Sequence, residues 1–208
     1  LGLRPARLAE LKEYIEALRA ILSGQSYDYK GRSIHVQWSE NPVPIVMAAE
    51  GPKTLAMAGG IADAVIIHSG LTTDVLADTI ARIREGERAA GRPEGSAEVW
   101  AFAKCNIADR REDAIDEIKM ALVASGHHAF RFTLEGKNVP EELRDSVMAL
   151  QGEYVASEHE QLGETRNAAL SDELGLTDFL ADRFAVAGTP EECLEKTRTI
   201  RDAGVDNL

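Results

Sequence analysis

The chain has 208 residues, with 35 acidic against 23 basic side chains, a net charge of −12, and 44% hydrophobic residues. That length allows one large domain or two small ones, and the apolar content suits a packed core and excludes a disordered chain. The acidity argues against a phosphate-backbone partner, which needs clustered Lys and Arg, so no nucleic-acid role is expected. No apolar run approaches the roughly 20 residues of a bilayer crossing, and no signal-peptide pattern is seen, so a cytoplasmic setting is expected. Cys105 and Cys193 lie far apart and outside any CxxC spacing, which reads as two reduced thiols and not as a disulfide framework or zinc site.

Taken in chain order, Leu8, Leu11, Ile15, Leu18 and Leu22 recur at helical spacing, and Gly24 supplies the stop. Tyr27 to Val36 reads as a short hairpin turning at Lys30-Gly31. Val43–Ala49 then predicts a strand buried on both faces, followed by a helix over 53–61. Strand Asp63–His68 precedes a helix at about 73–90, and strand Val99–Ile107 precedes one at about 111–124. Repeated strand–helix units of this kind predict an α/β fold with a parallel sheet covered by helices. Gly126 to Leu180 breaks the rhythm with polar, acidic, mostly helical segments. It is expected to be helical and to border a ligand pocket. Thr189-Pro-Glu-Glu opens a helix over 189–203 with a cap residue, Pro at the first position and acids in the first turn. Val205–Leu208 begins another strand. The first helix has no strand before it and the last strand no helix after it, so the chain is expected to continue at both ends.

The segment Ala48-Ala-Glu-Gly-Pro-Lys53 joins a strand end to a helix start. Unpaired N–H groups and the helix dipole at such a start attract an anion, and Gly51 leaves the backbone open to approach. Pro52 suits the first helical position. Many strand-to-helix loops use Gly-Pro only to change direction, so the local pattern leaves phosphate binding and a plain turn both open. His68 and Ser69, at the end of the next strand, are placed to meet a ligand, where a histidine could hydrogen-bond a substrate or serve as an acid or base. A partly buried histidine capping its loop is the other reading. Lys104 and Asn106 carry the same ambiguity, with one of the pair expected to point inward. His127-His128 is adjacent and not at metal-ligand spacing. GxGxxG, P-loop, GxSxG and HExxH motifs are absent, and the acidic run Glu153 to Glu164 reads as a solvated face.

Pro44-Ile-Val-Met-Ala-Ala-Glu-Gly-Pro-Lys-Thr-Leu-Ala-Met-Ala-Gly, with Ala62-Asp-Ala-Val-Ile, resembles the middle of the luciferase-like oxidoreductases. These comprise bacterial luciferase, flavin-dependent monooxygenases and coenzyme F420-dependent reductases. Arg4–Arg32 is similar to the family's helix and hairpin, and Ala187–Asp206 to its final helix and strand. The resemblance implies a TIM-type (β/α)8 barrel, a single domain over 1–208 carrying roughly strands five to eight, with 126–180 as the insertion. It implies that Ala48, Ala49, Glu50, Gly51 and Pro52 hold the phosphate of F420 or FMN, and that His68 and Ser69 face cofactor or substrate. Relatives often have Thr or Ser where this chain has His68. The Gly-Pro-Lys loop and Ser69-Gly70 look most like the methylenetetrahydromethanopterin reductase branch, which implies hydride transfer with F420 to or from a small organic substrate. An FMN-dependent monooxygenase using dioxygen and a non-catalytic dimer partner are the alternatives. A homodimer without bound metal is implied, and no catalytic side chain can be named, since those of the family lie mostly on earlier strands.

Overall fold

The computed structural model describes residues 4–38, 41–159, 161, 163 and 165–208. They form two compact units: residues up to Ile66 with Ala81–Val99, and Ile67–Ile80 with Trp100–Leu208. The boundary cuts three elements, β4 (Ala64–Ile67), α3 (Thr73–Ala89) and β5 (Glu98–Ala101).

In the first unit, α1 (Leu8–Leu22) buries Ile15 and Ala17, and β1 (Tyr27–Tyr29) pairs antiparallel with β2 (Arg32–Ile34). The turn between them is the expected one, with Lys30 at φ 50° and Gly31 at φ 76°, the left-handed pair that matches strand twist. β3 (Val46–Ala48) is shorter than the apolar run suggested. Pro44 has no N–H to give a ladder, so pairing starts beyond it. β3 runs parallel to β4, with Val46 opposite Ala64 and Ala48 opposite Ile66, and β4 lies between β3 and β5. α2 (Pro52–Ile61) follows β3 with Gly51 as its N-cap and Pro52 at its first position, as expected.

α2 and α3 meet at backbone contact. A Cβ on Gly59 would stand 2.1 Å from the Ile83 carbonyl oxygen, and one on Gly86 would stand 1.7 Å from that of Ala56. Leu55 on α2 and Ile83 on α3 are both buried.

The second unit departs from the reading in its strands. Residues 99–107 do not form one strand: β5 ends at Ala101, and β6 (Lys104–Ile107) joins a different partner. That partner is β7 (Ala185–Gly188), parallel to β6, with Lys104 opposite Ala185 and Ile107 opposite Gly188. Sequence reading misses β7 because Ala-Val-Ala-Gly is buried on both faces and follows a helix with no turn residue between. The expected strand at Val205–Leu208 reduces to a parallel bridge between Asn207 and Trp100.

α4 (Arg111–Phe130) continues past Ala124 and takes in Gly126, His127 and His128. Gly126 does not stop it. A Cβ there would meet Leu180 Cδ2 at 2.7 Å, so the glycine makes room for a neighbouring helix. α5 (Arg144–Glu153), α6 (Arg166–Glu173) and α7 (Thr177–Phe184) follow, in keeping with the helical segments expected here, with a turn through Leu174–Leu176 between the last two. Val147, Leu150, Leu170, Leu176 and Leu180 pack into one core with Ala114, Leu122, Phe130, Phe184, Ala185 and Ala187. In the acidic run, Glu153 pairs with Arg166 at 3.0 Å, and Glu160, Leu162 and Glu164 lie outside the described residues. α8 (Pro190–Asp202) has the anticipated cap: Thr189 Oγ1 accepts from Glu192 N at 3.3 Å, and Glu192 Oε2 accepts from Thr189 N at 2.8 Å. Among the described residues no helix is long and apolar enough to cross a membrane, and Cys105 and Cys193 are free thiols.

Candidate functional site

The first candidate region is the loop between β3 and α2. Its foundation is set one residue before β4, at Asp63. Asp63 Oδ2 accepts from Ile45 N at 2.7 Å and from Arg19 Nη2 at 3.0 Å, while Arg19 Nη2 also donates to Ile61 O at 2.7 Å. Burial pushes the Asp63 pKa up, but the Ile45 N–H and the Arg19 guanidinium outweigh it and hold the carboxyl below its ordinary value. These bonds tie the entrance of β3 to the start of β4 and so fix where β3 ends.

At that end, Ala48 is exposed, Ala49 is buried, Glu50 is half-buried, and Gly51 and Pro52 are exposed. The Ala49 N–H is taken up by the Ile66 carbonyl at 3.0 Å, so it holds the sheet and is not open to a ligand. Gly51 has φ −79° and ψ 150°, which any residue adopts, and a Cβ there would meet nothing within 4 Å. The fold therefore does not require glycine at this position.

The two ends of α2 are treated differently. At its C-terminus, Arg92 Nη1 donates to Gly59 O and Ala62 O, both at 2.7 Å, which satisfies carbonyls and complements the negative end of the dipole. At its N-terminus there is no side-chain cap. Pro52 has no N–H to offer, and the Lys53 and Thr54 N–H groups lie in the first turn, where an α-helix provides no acceptor of its own. That end, with exposed Lys53 beside it, is a candidate anion site.

The second candidate region lies in the other unit, where β4 ends. His68 and Ser69 are half-buried and Gly70 is buried. The His68 ring meets Phe102 edge-on at 5.2 Å, and it lies 5.8 Å from both His128 and Phe184. The turn beyond it is held by Arg183, 2% exposed at the end of α7. Arg183 Nε donates to Ser69 O at 3.0 Å, Arg183 Nη1 to Asn138 O at 3.3 Å, and Leu71 N donates to Arg183 O at 2.6 Å. Its guanidinium also lies over the rings of Phe130 and Phe184, at 5.2 and 5.8 Å. Burial brings its pKa down to about 10 against the pull of Asp74, which leaves it cationic at neutral pH.

The histidine pair of α4 splits into two environments. His127 stacks on Tyr154 at 3.9 Å, and the Tyr154 hydroxyl meets His159 Nδ1 at 2.6 Å. Burial, then the neighbouring His159, His128 and Arg131, push the His127 pKa down. His128 instead approaches His68. Lys104 and Asn106, two residues apart, share one face of β6, so the expectation that one of them points inward does not hold. Asn106 Nδ2 donates to Ala114 O at 3.0 Å and Glu117 Oε2 at 2.9 Å, and Lys104 Nζ lies 5.2 Å from the Phe102 ring centre. Arg183, Phe184 and Phe102 were not singled out from the sequence, and His128 was considered only with His127 as a metal-ligand pair. The one signal for Arg183 was a lone cation just ahead of an apolar Phe-Ala-Val-Ala run.

A family model described as luciferase-like monooxygenase matches residues 4–207. The chain belongs to the luciferase-like monooxygenase family. Within that setting it is 26% identical over 211 residues to the 5,10-methylenetetrahydromethanopterin reductase of Methanolobus tindarius, covering 97% of this chain and 59% of that protein. It is also 26% identical to the F420-dependent glucose-6-phosphate dehydrogenase of Nakamurella multipartita, covering 97% of this chain and 53% of that protein. The chain thus spans a little over half the length of these relatives. Among solved structures, the coenzyme F420-dependent tetrahydromethanopterin reductase of Methanopyrus kandleri shares the fold. Its TM-score is 0.65 at 22% identity, over 95% of this chain and 55% of that one. The parallel strand–helix units are those of the family's TIM-barrel α/β fold, of which the chain carries a part.

Proposed function

We propose that this chain is part of an oxidoreductase that transfers a hydride between coenzyme F420 and a small organic substrate, and that the Ala48–Pro52 loop takes the phosphate of the cofactor. The observation that carries the reading is the asymmetry of α2, capped by Arg92 at its C-terminus and left without a side-chain cap at its N-terminus. A helix end of that kind, at the C-terminal end of a parallel strand, is where α/β enzymes bind anionic ligands. The F420-dependent relatives support the choice of cofactor. When bound, the cofactor supplies the hydride chemistry, and the protein's part is to bind and orient it.

In this reading the Gly51, Lys53 and Thr54 N–H groups face the phosphate and Lys53 adds a cation beside it. His68 and Ser69 face cofactor or substrate. The anion chemistry of the loop serves FMN equally, so an FMN-dependent monooxygenase is the second reading; a Baeyer–Villiger monooxygenase solved in complex with FMN is a structural neighbour with a TM-score of 0.51. A small-molecule substrate, a homodimer and a cytoplasmic setting complete the proposal, and the charge of −12 supports the absence of a nucleic-acid partner.

Gly51→Asp tests it. Because nothing crowds a Cβ at Gly51, the fold accepts the change, while a carboxylate there fills the ligand's space and repels its charge. Losing one or two charge-assisted hydrogen bonds, about 1.5–3 kcal/mol each, weakens affinity at least tenfold. Fluorescence titration of the full chain with F420 and with FMN measures this and separates the two readings. Unchanged affinity in a variant with wild-type circular dichroism reduces the loop to a turn.

A further inference from the structure

Arg183 carries more than its place in the core requires. An unpaired guanidinium in an apolar setting is costly to bury. Among the described residues it forms no ion pair, and its N–H groups go to two main-chain carbonyls, Ser69 O at 3.0 Å and Asn138 O at 3.3 Å. An apolar side chain of the same length would fill the space at lower cost, so packing alone does not account for an arginine here.

The contacts converge on one short turn. Arg183 holds Ser69 through its side chain and Leu71 through its own carbonyl. Between them Gly70 sits at φ 141°, a backbone region that L side chains rarely adopt. A Cβ on Gly70 would lie 2.9 Å from Arg183 Cγ and 3.0 Å from Arg183 Nε. The turn is therefore pressed against the aliphatic stem while its carbonyl is bound by the head. His68, one residue earlier, rests against Phe184, the residue after Arg183. On the other side, the Asn138 side chain donates to Asp74 Oδ2 at 3.0 Å, which ties the second carbonyl to the start of α3.

The geometry points to Arg183 as a positioning residue that fixes the His68–Leu71 turn and thereby the orientation of the His68 ring. That His68 meets cofactor or substrate rests on the proposed function; the clamp itself does not. Arginine suits the task because its rigid fork reaches two acceptors at once, whereas lysine offers a single point charge.

The test needs no cofactor. Histidine-labelled full chain is compared by proton–carbon NMR as wild type, Arg183→Met and Arg183→Lys, with thermal unfolding in parallel. The expected result is that Arg183→Met moves and broadens the His68 ring resonance, leaves His35 in place and keeps a cooperative melt. Arg183→Lys, able to reach one carbonyl, restores the resonance in part. Gly70→Ala, which pushes on Arg183 from the turn side, gives the same displacement of His68 and covers the case in which Arg183→Met does not fold. An unmoved His68 in both Arg183→Met and Gly70→Ala overturns the proposal, and so does a uniform shift of all five histidines, which would mark a general packing role. Failure of the Gly51→Asp titration leaves this result standing, so the two ideas fall separately.

Discussion

Glu87 shows how a single residue can hold a loop by charge alone. It is 0% exposed, and its Oε1 accepts from Ala97 N at 2.7 Å and Arg84 Nη1 at 2.9 Å, while Oε2 accepts from Gly95 N at 2.9 Å. Burial pushes its pKa up, but the Ala97 and Gly95 N–H groups and then Arg84 prevail, and the carboxyl sits below its ordinary value. A carboxylate with a depressed folded-state pKa contributes stability that is complete above the unfolded value and lost as pH falls through the folded one. In Glu87→Gln, an amide N–H₂ must face a backbone N–H, which leaves a buried donor unsatisfied. The expected cost at neutral pH is about 1–3 kcal/mol. The deficit should shrink as wild type is acidified below about pH 4, because wild type loses what the variant never had. Urea unfolding at a series of pH values checks both statements, and parallel curves for the two proteins would contradict the assignment. Glu87 could not be read from the sequence, where it is one acid among 35, because its N–H donors come from a turn eight to ten residues further on.

At the scale of elements, the α2–α3 crossing depends on absent side chains. Gly→Ala within a helix ordinarily stabilises by up to about 1 kcal/mol. At Gly86 a Cβ would come within 1.7 Å of the Ala56 carbonyl oxygen, and backbone cannot yield as a flexible side chain does. Separating the helices costs at least the 1–3 kcal/mol typical of overpacking, so Gly86→Ala should be destabilising by roughly 2 kcal/mol or more. Gly152→Ala in α5, where a Cβ meets nothing within 4 Å, should be neutral or slightly stabilising. Thermal unfolding of the pair decides whether contact or propensity governs. What the sequence disclosed of the elements follows the strength of the local signal. Pro52, Thr189 and Lys30-Gly31 mark boundaries by their own chemistry, and the structure places them as read. β7 and the split between β5 and β6 are set by pairing partners about eighty residues away, and a short apolar run does not disclose its partner. The segment after α4 was read as an insertion for its polarity, yet Val147, Leu150, Leu170 and Leu176 lie in the same core as Phe184 and Ala187.

For the whole molecule, the family was legible because the stretch that carries the resemblance is contiguous, whereas the surroundings of His68 were not, because they come from β4, α4, α7 and the Phe102 segment. The net charge of −12 sets a further expectation, which depends on the proposed cofactor being a phosphate-bearing anion. Two fields then act on it with opposite sign and different range. The summed acidic surface repels it over distances comparable to the Debye length, while the open end of α2 attracts it only within about the first turn. Raising salt from ~10 mM to ~100 mM shortens the Debye length from about 30 Å to about 10 Å and removes most of the repulsion before the short-range attraction is reached. The association rate constant for F420 or FMN should therefore rise with salt, by roughly two- to fivefold, where a cationic protein would show a fall. Gly51→Asp should keep that salt dependence, since one charge in twelve barely alters the long-range field, and lose its affinity through faster dissociation. Stopped-flow fluorescence at several ionic strengths measures both. An association rate that falls with salt would mean that Lys53 and its neighbours dominate the approach, and that the field guiding the cofactor is local.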